Sequence, residues 1–285
     1  MSTPTTRADQ LAVAQGLAPT RSAVQRLIDQ GAVQWLGPQG WTTVRKAGEA
    51  LPPHAQLKVT DDAETRWVSR AGLKLAGALA HCPDLPVAGR LCLDVGQSTG
   101  GFTEVLLSQG AARVVGVDVG HGQLHQRVRE HPQVRALEGL NARHLTREML
   151  VDAGVPEAEL GQGFELVVGD VSFISLTLIL PALVPLMAPG GELLLLVKPQ
   201  FELQPDRIAK GGLVKDDTAF ADVETRLRLS CAEAGLTVAA YFDSPIAGGD
   251  GNREFFVRAL SAAPALSGAK ARPAAKRPRK TSNAS

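Results

Sequence analysis

Apolar positions along the chain change their period twice. Leu11, Val13 and Leu17, then Val24, Leu27 and Ile28, recur at helical spacing and predict two short amphipathic helices. Gly16 and Gly31 punctuate their ends, and Thr20 or Ser22 is placed to cap the second. Alternation follows: Val33-Gln34-Trp35 and Trp41-Thr42-Thr43-Val44 read as short strands around the turn Gly37-Pro38-Gln39-Gly40. From about Arg90, apolar runs alternate with helix-like stretches. The runs Leu91–Val95, Val114–Asp118, Val134–Leu137, Leu166–Asp170, Leu193–Lys198, Thr237–Phe242 and Glu254–Ala259 predict strands. The fold class expected is α/β: a Rossmann-like, mostly parallel sheet with helices on both faces, preceded by a small α+β unit. The domain boundaries are a small unit over 1–61, a polar linker over 62–69, the α/β domain over 70–261 and a tail over 262–285. The tail is rich in Ala, Pro, Lys, Arg and Ser and is expected to be disordered. The most apolar stretch, Phe173 to Met187, contains Ser175, Thr177, Pro181 and Pro185 and falls short of the ~20 residues of a spanning helix. It reads as buried core, and no membrane partner is expected.

A length of 285 residues accommodates about two domains at roughly 100–200 residues each. The three cysteines, Cys82, Cys92 and Cys231, lie far apart without zinc-ligand spacing and read as reduced thiols of a cytoplasmic protein. Residues 1–10 are polar, so no secretory leader is expected. The net charge of +1 conceals an asymmetry. Residues 262–285 carry six bases and no acid, which leaves the remainder at −5, and residues 1–60 carry six bases against three acids. Basic ends on an acidic middle point to an anionic partner touched by the ends.

Leu91-Cys92-Leu93-Asp94-Val95-Gly96-Gln97-Ser98-Thr99-Gly100-Gly101-Phe102 reads as a buried strand, a glycine-rich turn and a helix start. The next strand ends at Asp118, where doubly wound folds set an acid against ribose hydroxyls. Three owners fit such a loop. A dinucleotide fold wants glycine where Ser98 stands. A hydrolase elbow matches Gly96-Gln97-Ser98-Thr99-Gly100 literally, but His144 is the last histidine, so the acid would have to come from the cramped segment before it that holds Asp118, and the hydrolase reading is poor. A methyltransferase wants an acid ending the first strand, and Asp94 fits.

Four further polar residues stand at strand or helix ends: Lys74, Asp170, Lys198 and Glu254. Taken singly, each is most simply an ion pair or a cap. Lys198 differs, because an ammonium after five apolar residues needs a partner. Burial and a nearby Lys74 would lower its pKa, while Asp170 and Glu254 would oppose that and orient it. A neutral lysine within hydrogen-bond reach of a sugar alcohol takes its proton as a bond to carbon forms.

These segments in this order resemble the TlyA family of rRNA 2′-O-methyltransferases, also described as haemolysin-like. The matching stretches are Trp67-Val68-Ser69-Arg70-Ala71-Gly72-Leu73-Lys74-Leu75, Leu93 to Thr103, Val117 to Leu124, Asn141-Ala142-Arg143, Asp170 to Leu176, Val197 to Glu202, and Gly251-Asn252-Arg253-Glu254-Phe255. The resemblance implies an FtsJ-like catalytic domain that uses S-adenosylmethionine, with a tetrad on Lys74, Asp170, Lys198 and Glu254 and Lys198 at its centre. It implies Asp94, Gly96, Ser98, Gly100 and Gly101 as cofactor-binding residues, the serine and the glycines near the methionine part. Asp118 would sit at the ribose and Asn141 near the adenine. The implied substrate is a cytidine 2′-hydroxyl in ribosomal RNA or in ribosomal subunits, with no obligate protein partner. Residues 7–60 resemble the RNA-binding fold of small-subunit ribosomal protein S-four, which implies Arg7, Arg21, Ser22 and Arg26 on the RNA face. Two departures stand out: Ala71 where a glycine is expected, and Gln97 where an alanine is. Trp35 and Trp41 read as hairpin packing, and His121 and His125 lack a third ligand, so no metal is expected. The rival readings are a pore-forming protein and an RNA chaperone with a degenerate enzyme domain.

Overall fold

The computed structural model describes residues 4–29, 31–38, 40–60, 66–210, 212–248 and 251–262. The expected basic tail beyond residue 262 lies outside them, as do residues 62–65 of the linker.

In the N-terminal unit, β1 (Thr6–Arg7) runs into α1 (Ala8–Ala14), followed by α2 (Arg21–Asp29), β2 (Val33–Gly37), β3 (Gly40–Thr43), β4 (Ala50–Leu51) and β5 (Leu57–Val59). Thr20, not Ser22, caps α2: its hydroxyl accepts from the Ala23 amide at 3.2 Å. β3, β2 and β5 form an antiparallel sheet, and β1 pairs with β4. Val24, Leu27 and Ile28 of α2 meet Val33, Val44, Leu51 and Leu57 in a core separate from the rest of the molecule. Trp35 packs at the edge of that core, whereas Trp41 is 42% exposed with the Lys58 ammonium 4.2 Å from its ring centre.

The second domain runs α3 (Ala71–His81), β6 (Leu91–Val95), α4 (Gly101–Ser108), β7 (Arg113–Asp118), α5 (Gln126–Arg129), β8 (Val134–Glu138), α6 (Arg147–Asp152), α7 (Glu157–Leu160), β9 (Phe164–Gly169), α8 (Leu176–Leu183), β10 (Met187–Val197), α9 (Pro199–Glu202), α10 (Thr218–Glu233), β11 (Leu236–Asp243) and β12 (Phe255–Ser261). Its seven strands lie in the order β11-β12-β10-β9-β6-β7-β8. Alternate strand residues enter opposite cores. Leu93, Val115, Val167 and Leu195 pack with Ile179, Leu180, Val223 and Leu227 of α8 and α10. Cys92, Val114, Val168 and Leu196 pack with Leu75, Ala78, Val105 and Leu106 of α3 and α4. Burial on both faces is why these strands read as unbroken apolar runs.

Two differences from the sequence reading matter. β10 begins at Met187, several residues before the predicted start, because the strand passes through Pro189-Gly190-Gly191 with a register shift between Met187 and Glu192. Phe173 is not core: it is 89% exposed, while Ile179, Leu180 and Leu183 behind it are buried. Among the described residues, no helix is long and apolar enough to cross a membrane.

β12 is the one strand of this sheet that runs against both its neighbours, β10 and β11. Its first residue therefore lies at the edge where β9 and β10 end. The register Val197↔Phe255 sets Glu254, just before β12, across from Lys198, just after β10.

Candidate active site

The chain order of strands reverses between β6 and β9, and a cavity of about 520 Å³ opens beyond their carboxyl ends. The glycine turn forms one wall. Gly96 has φ +79°, and a Cβ there would stand 2.8 Å from the Asp170 carbonyl, so only glycine lets the two loops cross. Ser98 holds φ +47°, a conformation that costs a non-glycine residue ~1–3 kcal/mol. Its amide donates to Asp118 Oδ2 at 2.7 Å, which holds it there. Gly101 is a packing residue as much as a cavity residue: a Cβ would lie 2.2 Å from Ser69 Oγ and 2.9 Å from the Gly72 nitrogen, where α3 crosses the start of α4. Gly96, Ser98, Gly101, Asp118 and Asn141 line the cavity, with Asp170 and Lys198 on the facing wall. Gly100 caps α4 and packs toward Leu124 and Val128. Asn141 caps a short 3₁₀ turn by accepting from the Arg143 amide at 2.9 Å.

Asp94, expected at the cofactor, does not line the cavity: it lies fully buried beneath the turn, because it stands near the end of a strand covered on both faces. Its Oδ2 accepts from Thr103 Oγ1 at 2.6 Å, and Thr103 in turn accepts from Gln97 Nε2 at 2.8 Å. Among the described residues, the Asp94 Oδ1 has no donor. Burial pushes this carboxyl up to about 7, with the charges of Asp170 and Asp118 adding to the rise. Gln97, where an alanine was expected, fills the space over Gly116: a Cβ at Gly116 would come 2.0 Å from its amide.

Asp118, held by the amides of Ser98 and Gly120, puts a carboxylate on the cavity wall beside the turn, which suits a ligand carrying positive charge. S-adenosylmethionine carries a sulfonium and an ammonium, so this wall fits it. The dinucleotide alternative fails at Ser98, where it wants a glycine. The hydrolase alternative fails too, because Ser98 Oγ donates to Gln123 Oε1 at 3.3 Å rather than to a histidine.

The four residues that the resemblance implies as a tetrad form two ion pairs. Lys198 Nζ lies 2.5 Å from Asp170 Oδ1 and donates to Ser172 Oγ at 2.7 Å. Lys74 Nζ lies 2.6 Å from Glu254 Oε2. The first pair faces the cavity; the second is buried beside it. Burial pushes the Glu254 carboxyl above its ordinary value, Lys74 opposes this, and Asp170 adds to it. Ser172 lies within a stretch recognisable in the sequence, but nothing in the spacing reveals that its hydroxyl meets Lys198. Glu202 is a second residue of that kind: its carboxylate accepts from Ser175 Oγ and from the Leu176 amide. Phe173, at φ +64°, leans on Phe201 with ring centres 5.1 Å apart.

Arg7, Arg21, Ser22 and Arg26 belong to the N-terminal unit, not to the cavity. Asp9 grips two of them, Arg7 at 3.0 Å and Arg21 at 2.7 Å. The hydrogen bond from Arg7 is the main cause that holds the Asp9 carboxyl down at about 2. Ser22 is exposed and Arg26 half-buried on α2. His125 caps α5 through Nδ1, and no group of three or more metal-ligating side chains exists among the described residues.

Residues 67–260 match the model of the FtsJ-like methyltransferase family. The chain is 42% identical over 263 residues to the 16S/23S rRNA (cytidine-2′-O)-methyltransferase TlyA of Mycobacterium tuberculosis, covering 90% of this chain and 92% of that protein. It is 39% identical over 251 residues to YqxC of Bacillus subtilis, provisionally named an rRNA methyltransferase, covering 88% of this chain and 84% of that one. A solved structure from Streptococcus thermophilus, provisionally named a hemolysin, superposes with a TM-score of 0.65 at 36% identity, across 92% of this chain and 90% of that one. Since the family model matches residues 67–260 and both relatives align along most of their length, the chain belongs to the S-adenosylmethionine-dependent, FtsJ-like methyltransferases of the TlyA family.

Proposed function

We propose that this chain methylates the 2′-hydroxyl of a cytidine in ribosomal RNA, with Lys198 as the general base. One observation carries the reading: Lys198 Nζ stands on the cavity wall facing the glycine turn, held by Asp170 at 2.5 Å and Ser172 at 2.7 Å. The cofactor supplies an electrophilic methyl group on sulfonium. The protein's part is to hold a sugar alcohol in line and to take its proton. As the general base, Lys198 Nζ takes the hydroxyl proton while Asp170 and Ser172 hold that nitrogen in place. Lys74 and Glu254 form a second, buried pair that fixes β12 against α3 and walls off the base from water. The exposed ring of Phe173, backed by Phe201, offers a stacking face to a base turned out of its helix.

The N-terminal domain, residues 1–61, holds the RNA. Arg7 and Arg21, oriented by Asp9, and Ser22 and Arg26 on α2 contact phosphates there. Ribosomal subunits are the physiological substrate, and the cytoplasm is the place of action. Lys198→Ala abolishes methyl transfer to rRNA while cofactor affinity stays within a few-fold, as read by calorimetry and by incorporation of labelled methyl. Wild-type turnover in that variant would refute the assignment.

A further inference from the structure

Two short segments leave the neighbouring parallel strands β9 and β10 side by side. Residues 170–175 carry Asp170, Ser172 and Phe173; residues 198–202 carry Lys198 and Phe201. Their near ends meet at the Lys198–Asp170 pair and at the Lys198–Ser172 hydrogen bond. Their middles meet where Phe173 leans on Phe201. Their far ends meet at Glu202, whose Oε2 accepts from Ser175 Oγ at 2.5 Å and whose Oε1 accepts from the Leu176 amide at 2.7 Å. The backbone of Glu202 is itself held, because its carbonyl accepts from Arg226 of α10 at 2.6 Å.

We propose that Glu202 is a positioning residue for methyl transfer, clamping the 170–175 segment onto the 198–202 segment so that Lys198, Asp170 and Phe173 keep their mutual geometry. Three features carry this. Glu202 is only 3% exposed, and a buried carboxylate is costly unless its bonds are needed. The bonds it makes are to the first turn of α8, whose cap is Ser175, so they set where the preceding segment begins its return. Between the two clamped ends lies Phe173 at φ +64°, which a loose loop would relax. A carboxylate pointing into solvent would do nothing of the kind; this one joins the segment that carries Lys198 to the segment whose Asp170 and Ser172 hold Lys198 Nζ.

The inference rests on Lys198 acting as the base, and the experiment separates the two. Glu202→Ala, Glu202→Gln, Ser175→Ala and Lys198→Ala are assayed as full-length enzyme on ribosomal subunits lacking the modification, well below each variant's Tm. S-adenosylmethionine affinity is measured alongside. The expected result is a kcat about 10- to 100-fold lower in Glu202→Ala and several-fold lower in Ser175→Ala, with cofactor Kd within about 2-fold, since a displacement of about 1 Å costs on that order. Glu202→Gln, which keeps an oxygen for the Leu176 amide, recovers most of the rate. A purely structural cap would lower Tm and leave kcat at the wild-type value. Should Glu202→Ala misfold, Ser175→Ala and Glu202→Gln still read the clamp. Wild-type kcat in folded Glu202 and Ser175 variants, beside an inert Lys198→Ala, overturns this inference alone. Wild-type turnover in Lys198→Ala overturns both.

Discussion

The Asp94 carboxylate couples the glycine turn to pH. Its folded pKa of about 7 lies well above the ordinary value, because burial penalises the charge. A raised carboxyl binds its proton more tightly in the folded state, so the ligand-free protein loses stability as pH rises from about 4 to about 7 and is level above that. A cationic cofactor reverses the preference, since it favours the ionised form. Affinity for S-adenosylmethionine therefore rises with pH up to about 7, and binding below that pH releases a proton. Calorimetry in buffers of different ionisation enthalpy reads that proton. Asp94→Asn flattens both profiles; unchanged profiles in that variant would assign them to another group.

At the scale of elements, the crossing of α3 over the start of α4 sets the height of the turn. Gly101→Ala puts a methyl against Ser69 and the backbone of Gly72. Overpacking of that kind costs ~1–3 kcal/mol. Since the same crossing carries Ser69 and the turn into the cavity wall, the expected result is a lower Tm together with weaker cofactor binding. A lower Tm with wild-type cofactor Kd would separate the crossing from the site. The reversed strand β12 has the opposite role: it adds no cavity wall but delivers Glu254 to Lys74.

At the scale of the whole molecule, the N-terminal unit has its own core, apart from those of the seven-stranded sheet, and the proposed function gives it the RNA. Deleting residues 1–61 weakens binding to ribosomal subunits by at least tenfold while cofactor affinity is kept. The salt dependence of rRNA binding also becomes shallower, because each lost phosphate contact removes released counterions. Gel-shift and calorimetric titrations at two salt concentrations check this, and equal rRNA affinity with and without the unit would remove its assigned role. The haemolysin-like description predicts vesicle damage; the clean protein is expected to leave dye-loaded liposomes intact.

Much of this was legible without a structure, because the determinants are local. Strands buried on both faces, such as Leu91–Val95 and Leu193–Val197, betray themselves as unbroken apolar runs, and the glycine turn announces a close approach of backbone. The order of the motifs named the family, and it picked out the residues that form the two ion pairs. What tertiary structure alone decided is which distant segments meet. No local period says that β12 runs backwards, yet that reversal is what brings Glu254 across from Lys198. Nor does an apolar stretch say that Phe173 faces outward while its neighbours face the core, that Asp94 sits behind the cavity rather than in it, or that Ser172 and Glu202 bind the loops around the Lys198 amine. Hydrophobic pattern fixes which face of an element is buried; the pairing of elements far apart in the chain is settled only when the whole core closes, and the site is made of those pairings.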